Sequence, residues 1–470
     1  MSMMDKLFRR KAVEGHKDGD LVRCLGGFDL ILLGIGAIIG TGIFVLTGVA
    51  AATQAGPAVV LAFIVSGLAC AFAAFAYSEL SASVGGCGSA YGYGYAAFGE
   101  MIAWIIGWDL ILEYAVAVAA VANGWSGYFN NALVAIGWGL PDHLLRGPFA
   151  DNPGYVNLPA VAIILALMSM LIIGVKQSAR FNAVMVFVKL LTIAVFLMVA
   201  VPNIQPELWS PFMPFGWFDH IEGGKTVGVL AAASVVFFAY VGFDAVSTAV
   251  EETKNPQRNV PIGIIGSLLF CTLIYIVVSG VLTGIVPYTE LNVSSPVAHG
   301  LQLLGFNWAS GLVAAGVIAG LTTVMLVLYY GLTRIIMAMA RDGLLPTALE
   351  KVDAKRRTPV RSIVICGVVM ALFAGFLPLG ILAELVNIGT LAAFVIVCAG
   401  VIVLRVKFPD LPRPFKSPWG ITIPVLGVLS CSALIAFLPY ETHLRFVGWL
   451  AIGMVIYFAY SYRHSKLRKA

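Results

Sequence analysis

The chain has 470 residues, 60% hydrophobic and 11% charged, against about 25% charged in an ordinary soluble domain. Together with a mean hydropathy of +0.93, this excludes a soluble globular fold and leaves a polytopic membrane protein. The formal net charge of +5 belongs to loops that meet anionic lipid headgroups, and it does not suggest nucleic acid as a partner.

Residues 1–26 are polar and basic, a cytoplasmic N-terminal segment in expectation, not a cleaved signal peptide. Crossing ~30 Å of hydrocarbon takes about 20 apolar residues. Segments of this kind fall at 27–51, 57–84, 99–130, 157–175, 181–202, 226–250, 261–286, 306–341, 361–378, 383–405, 422–440 and 445–463. The expected fold is therefore all-α with 12 transmembrane helices. Several segments, the third and eighth the longest, exceed the crossing length and must tilt, break or protrude.

Lysine and arginine alternate between loops. Lys6, Arg9, Arg10, Lys11, Lys17 and Arg23 precede the first span. Lys176 and Arg180, Lys254 and Arg258, the Arg334–Arg361 cluster, and Arg405, Lys407, Arg413 and Lys416 follow in every second loop. Arg463, Lys466, Arg468 and Lys469 close the chain, while the opposite loops hold only Arg146, Lys225 and Arg445. This asymmetry places both termini in the cytoplasm of a multi-pass plasma-membrane protein. One missed or extra span would scramble it.

The first span contains Gly34, Gly36, Gly40 and Gly42, and each glycine weakens a helix by about 1 kcal/mol relative to alanine. Gly40-Thr41-Gly42 is the expected break; the alternative is close helix packing at the Gly36/Gly40 spacing. The fifth span carries Lys189 alone in an apolar run. An ammonium at that depth costs roughly 2.5–3.5 kcal/mol, so it faces a cavity or a partner. Lys189 lies eight residues past the start of the run, roughly 12 Å at helical rise, which is deep for a side chain that snorkels to the interface. It is the first candidate for a proton-coupling group. The sixth span contains Phe237-Phe-Ala-Tyr-Val241-Gly242-Phe-Asp244, a glycine and an acid in apolar sequence.

Breaks in spans one and six are matching positions of two five-helix units. Because five is odd, the units run in opposite orientation: helices 1–5 at 27–202, helices 6–10 at 226–405, and helices 11–12 with the tail at 406–470. Such paired interruptions point to a transporter site. Freed amides bind a carboxylate and freed carbonyls bind an ammonium, and an amino acid zwitterion needs both.

At these residues the chain resembles the amino acid–polyamine–organocation superfamily, and within it bacterial members of the cationic amino acid transporter family. The matching stretches are Gly36–Phe44, Tyr77–Leu80, Gly107–Tyr114, Ala179–Asn182, Phe237–Thr248, Glu251–Arg258 and Ala340–Pro346. The resemblance implies a five-plus-five inverted repeat and alternating access. It implies that the substrate carboxylate meets the amides of Thr41 and Gly42, with the Thr41 hydroxyl nearby. The α-ammonium would meet carbonyls of Ile38, Phe238, Ala239 and Val241. Lys189 matches a lysine that stands where sodium-coupled relatives hold sodium. Glu113 matches a buried acid near the breaks, expected to hydrogen-bond freed backbone groups and a second proton-coupling candidate; a plain polar brace is its alternative. Leu321 matches a pocket-wall position, where its bulk shortens the space for the substrate. The expected substrates are therefore small neutral amino acids such as alanine, carried with protons and without sodium. Cationic amino acids, polyamines and an exchange mode are the alternatives.

The remaining polar residues read as structure. Glu79 and Asp109 sit near span ends, expected to pair or face the cytoplasm. Glu251, Glu252, Lys254 and Arg258 form a charge cluster that could latch to Arg341 and Asp342. Tyr77, Tyr91, Tyr93 and Tyr95 flank a glycine-rich stretch, Gly85-Gly86-Cys87-Gly88, as candidate interface anchors.

Seven scattered cysteines show neither metal spacing nor a disulfide framework. The six histidines lie outside or at the ends of spans, which leaves no catalytic cluster and argues against an enzyme. A channel would need rings of carbonyls or acids that are not seen. No phosphate-binding Gly-Lys-Ser/Thr loop occurs, so ATP does not drive the protein. No cofactor or metal is expected, and partner subunits stay open.

Overall fold

The computed structural model describes residues 9, 23–84, 90–150, 152–174, 179–220, 226–353, 356 and 358–466. Helix dominates throughout. In chain order the main helices are α1 (Gly27–Ile38), α2 (Val59–Ser83), α3 (Ala90–Ala97), α4 (Glu100–Ala135), α5 (Leu158–Ile173), α6 (Ala179–Ala200) and α7 (Val229–Val236). They continue as α8 (Pro256–Ile285), α9 (Pro296–Leu303), α10 (Asn307–Arg341), α11 (Val360–Phe376), α12 (Leu379–Lys407), α13 (Thr422–Ala436) and α14 (Tyr440–Ile456). A two-residue antiparallel pairing, Asp219–His220 with Thr226–Val227, is the one strand pair among the described residues.

Every expected span contains helix. Among the described residues, eight segments are long and apolar enough to cross a membrane, and α1, α5, α11 and α13 are shorter apolar helices. Some boundaries shift. α8 begins at Pro256, not 261, because Pro256 and Pro261 both fall in its opening turns, where a missing amide costs little. α4 runs to Ala135, longer than expected.

The interior is packed around α1, α4, α8 and α10, with α10 laid along α4 and α8 against α2 and α1. Small residues permit these approaches. A side chain at Gly34 would overlap Ser267, and one at Gly320 would come within 2.9 Å of Lys189 Cγ. Cys70, Cys271, Cys366, Cys398 and Cys431 are free and buried, as small apolar side chains.

Several surface expectations change. Tyr77, Tyr91, Tyr93 and Tyr95 are at most 5% exposed, so they are core residues and not interface anchors. Tyr77 stacks edge-on against Tyr93, Phe243 and Phe394. Residues 85–88 lie outside the described residues. Glu79 does pair: its carboxylate meets Arg405 Nε at 2.8 Å and Arg413 Nε at 3.6 Å. It also accepts from the Ser417 amide at 2.8 Å, tying α2 to the segment after α12. Asp109 is not at a span end. It is 2% exposed, because α4 starts at Glu100, more than two turns before it. Arg341 meets Glu350 at 3.9 Å and Asp342 accepts from Tyr91 Oη at 2.7 Å, while the Glu251 side chain lies outside the described residues.

Candidate functional site

The chain leaves helical geometry at both expected positions. α1 ends at Ile38; Ile39 takes an extended backbone, and a π-helical turn starts at Gly42. α7 ends at Val236, a tight turn covers Phe237–Tyr240, and Gly242 adopts φ +111° before a second tight helix over Phe243–Glu252. That φ is the left-handed region, where a side chain is strained.

The two breaks lie against each other. A Cβ on Gly42 would overlap the Ala239 backbone, and one on Gly242 would sit 3.1 Å from the Ala37 carbonyl oxygen. Each break therefore needs a glycine because the other break's main chain fills the space.

Breaking a helix frees carbonyls, and buried ones need donors. On α1, the Gly36 carbonyl accepts from Lys189 Nζ at 2.6 Å. One turn earlier, Leu32 O accepts from Asn182 Nδ2 at 3.4 Å. Lys189 is 1% exposed. It is thus buried against α1, and it does not snorkel. Tyr275 of α8 holds both breaks at once: its hydroxyl lies 3.0 Å from Ile38 O and 2.8 Å from Ala239 O. On the α7 side, Ala233 O accepts from Ser66 Oγ at 2.7 Å, and Ser234 O and Val235 O accept from Asn387 Nδ2 at 2.7 and 3.0 Å. Phe238 O accepts from the Val241 amide at 3.2 Å. Two of the four carbonyls expected to meet an ammonium thus already share a phenol.

The amides divide unequally. Thr41 and Gly42 open the second part of the first span, where the leading amides have no carbonyl behind them. The Thr41 hydroxyl is fully buried with no hydrogen-bond partner among the described residues. At the other break, the Ala245 amide donates to Gly242 O at 3.1 Å, and the Asp244 carboxylate, whose Oδ1 has no hydrogen-bond partner among the described residues, lies beside the Tyr114 hydroxyl.

A cavity of ≈ 10 Å³, the room of about one water molecule, lies between the breaks. Ala37, Ile38, Gly40, Thr41, Gly42, Phe238 and Val241 line it from the breaks. Ala117 and Val121 of α4 and Val324 and Leu328 of α10 complete it. Every lining residue is buried. Tyr128 Oη donates to Phe44 O at 2.8 Å on one side, and the Tyr77–Phe243–Phe394 group packs on the other.

Of the residues read from sequence, Ile38, Thr41, Gly42, Phe238 and Val241 border the cavity, and Ala239 packs on Gly42 just behind it. Lys189 lies behind α1. Leu321 is fully buried beside Gly320, which faces Lys189, and does not border the cavity; the wall from its helix is Val324 and Leu328, one and two turns later. Glu113 is 2% exposed, as expected of a buried acid. Its carboxyl lies beside the Thr390 hydroxyl of α12. Ala117, Val121 and Tyr275 were missed. Asp109, Glu113, Ala117 and Val121 recur every fourth residue, a one-face spacing that could have found the first two. Nothing in the sequence near Tyr275 marks it.

A family model for amino acid permeases matches residues 25–460. A branched-chain amino acid permease of Bacillus subtilis is 49% identical, covering 99% of this chain and 100% of the relative. A methylthioribose transporter of the same organism is 48% identical over 99% and 100%. A vacuolar cationic amino acid transporter of Arabidopsis thaliana is 35% identical over 87% of this chain and 68% of the relative. The chain belongs to the amino acid permease family of the amino acid–polyamine–organocation superfamily.

Proposed function

We propose that the protein is a proton-coupled, sodium-independent secondary transporter of neutral amino acids, working by alternating access between two inverted five-helix units. It would cross the plasma membrane 12 times with both termini in the cytoplasm. The observation that carries the reading is the Lys189 ammonium on the Gly36 carbonyl, beside the first break. A fixed cation there supplies the charge a sodium ion would bring and occupies its room.

The substrate carboxylate would meet the Thr41 and Gly42 amides and the Thr41 hydroxyl. The α-ammonium would meet carbonyls of Ile38, Phe238, Ala239 and Val241, for which it competes with Tyr275 at two of the four. Lys189 and Glu113 are the proton-coupling candidates. The side-chain wall from α4 and α10 is aliphatic, and among the described residues no carboxylate lines the cavity to receive a guanidinium. This supports small neutral substrates, alanine first, over cationic ones. A polyhydroxyl sugar would meet one polar side chain, Thr41, which argues against methylthioribose. Branched-chain amino acids are the second reading, favoured by the relative named for them and by Val121, Val324 and Leu328.

Uptake of radiolabelled alanine by proteoliposomes tests both layers. Rates should be equal in sodium and choline and should rise with an inward proton gradient. A strict sodium requirement would overturn the role of Lys189. Unlabelled leucine, isoleucine and valine competing far better than alanine would move the substrate to the branched-chain class, and arginine doing so would move it to the cationic class.

A further inference from the structure

Three carboxyl groups lie buried together on the α3 side of the cavity, and the proposed transport reading uses only one. Asp109 and Glu113 are on α4, and Ala117 and Val121 follow on the same helical face to form the cavity wall. Four-residue steps rise about 6 Å each, so the stripe leads from the cavity through Glu113 to Asp109, toward the end of α4 that the loop charges put in the cytoplasm. Asp244, at the second break, lies near Glu113. The three are 2%, 2% and 6% exposed.

The groups facing them are mostly hydroxyls. Tyr77 of α2 and Tyr93 of α3 lie beside Asp244. Tyr114 of α4 meets Asp244, Thr390 of α12 faces Glu113, and Gly389 of α12 abuts Asp109. Asp109 Oδ1, Asp244 Oδ1, Tyr77 Oη and Thr390 Oγ1 have no hydrogen-bond partner among the described residues. Buried polar atoms of this kind cost about 1–3 kcal/mol each when unpaired. Carboxylates in one dry pocket also repel. A proton held on one of them supplies a hydrogen-bond donor and removes negative charge.

We infer that Asp109, Glu113 and Asp244 form one carboxyl cluster that carries the transported proton between the cavity and the cytoplasmic end of α4, with Asp244 linking its occupancy to the second break. The inference rests on the proposed proton-coupled transport and adds two groups to it. Transfer breaks one O–H bond on the donor carboxyl as one forms on the acceptor, directly or through a water, and the negative charge moves the opposite way. Protonating Asp244 removes a charge from the tight helix that begins just after Gly242, and so acts on the shape of the second break.

Full-length Asp109→Asn and Asp244→Asn test this, since asparagine keeps the shape and an acceptor oxygen but cannot exchange a proton. Alanine accumulation driven by a proton gradient is compared with alanine counterflow at equal pH. The expected result is a fall of at least about tenfold in the ratio of driven accumulation to counterflow, restored in part by Asp109→Glu. An unchanged ratio in both variants overturns the inference. If Asp244→Asn does not fold, Asp109→Asn decides. A readout independent of substrate is the infrared carbonyl band of protonated carboxyls, which each asparagine variant should diminish. A parent protein without such a band, or a band untouched by both variants, overturns the cluster even if alanine proves the wrong substrate. A parent that shows the band but no alanine counterflow overturns only the substrate assignment.

Discussion

The two breaks look alike in sequence and differ in what they leave open. At the first, the Gly36 carbonyl is held by Lys189, while Thr41 and Gly42 line the cavity and the Thr41 hydroxyl has no hydrogen-bond partner among the described residues. At the second, the amides of Val241 and Ala245 are answered by carbonyls of their own turns, Phe238 O and Gly242 O, and the carbonyls of Ser234 and Val235 by Asn387. One break thus offers donors and the other closes its own. The lesson is that a break in a helix does not by itself make a site. Which groups remain unanswered after the neighbours have packed decides where an anion can bind.

The largest expected effect comes from filling the space the breaks share. Gly42→Val would force a branched side chain into the Ala239 backbone, so alanine should give no thermal shift while the protein still elutes as a folded species. A normal shift would mean that the first break is not where substrate binds. Gly242→Ala should be milder. It pays about 1–3 kcal/mol for a side chain at φ +111° and crowds Ala37 O at 3.1 Å. Melting should drop by several degrees and binding should weaken; an effect as complete as that of Gly42→Val would show that both breaks offer donors to the ligand.

Tyr275→Phe removes the hydroxyl between Ile38 O and Ala239 O, worth about 1 kcal/mol of stability. If the phenol merely holds the breaks together, denaturation shifts and alanine affinity falls a few-fold. Tighter binding instead would mean that the phenol competes with the substrate ammonium. The smallest effects concern the wall. Leu321→Ser was expected to admit long substrates, arginine above all, whereas Val324 and Leu328 are the residues of that helix on the cavity. Val324→Ala should therefore broaden competition more than Leu321→Ser, each costing alanine at most about 1 kcal/mol. The reverse order would return the wall to Leu321.

Sequence alone determined the membrane class, the helical segments, both breaks and the buried lysine, because each follows from local chemistry. A long apolar run must become helix in lipid, glycine clusters interrupt it, and an isolated ammonium at depth must find an acceptor. It also gave Ile38, Thr41, Gly42, Phe238 and Val241 through stretches shared with a known family. Tertiary structure decided what depends on residues far apart in the chain. That Lys189 meets Gly36, that Tyr275 bridges Ile38 and Ala239, that Asp109 is buried while Glu79 finds Arg405, and that Val324 and not Leu321 borders the cavity all turn on how helices rotate and slide against one another. Hydrophobic burial in a lipid solvent barely distinguishes one face of an apolar helix from another. Close packing of small residues and a few buried hydrogen bonds set those rotations, and they exist only once the helices have met.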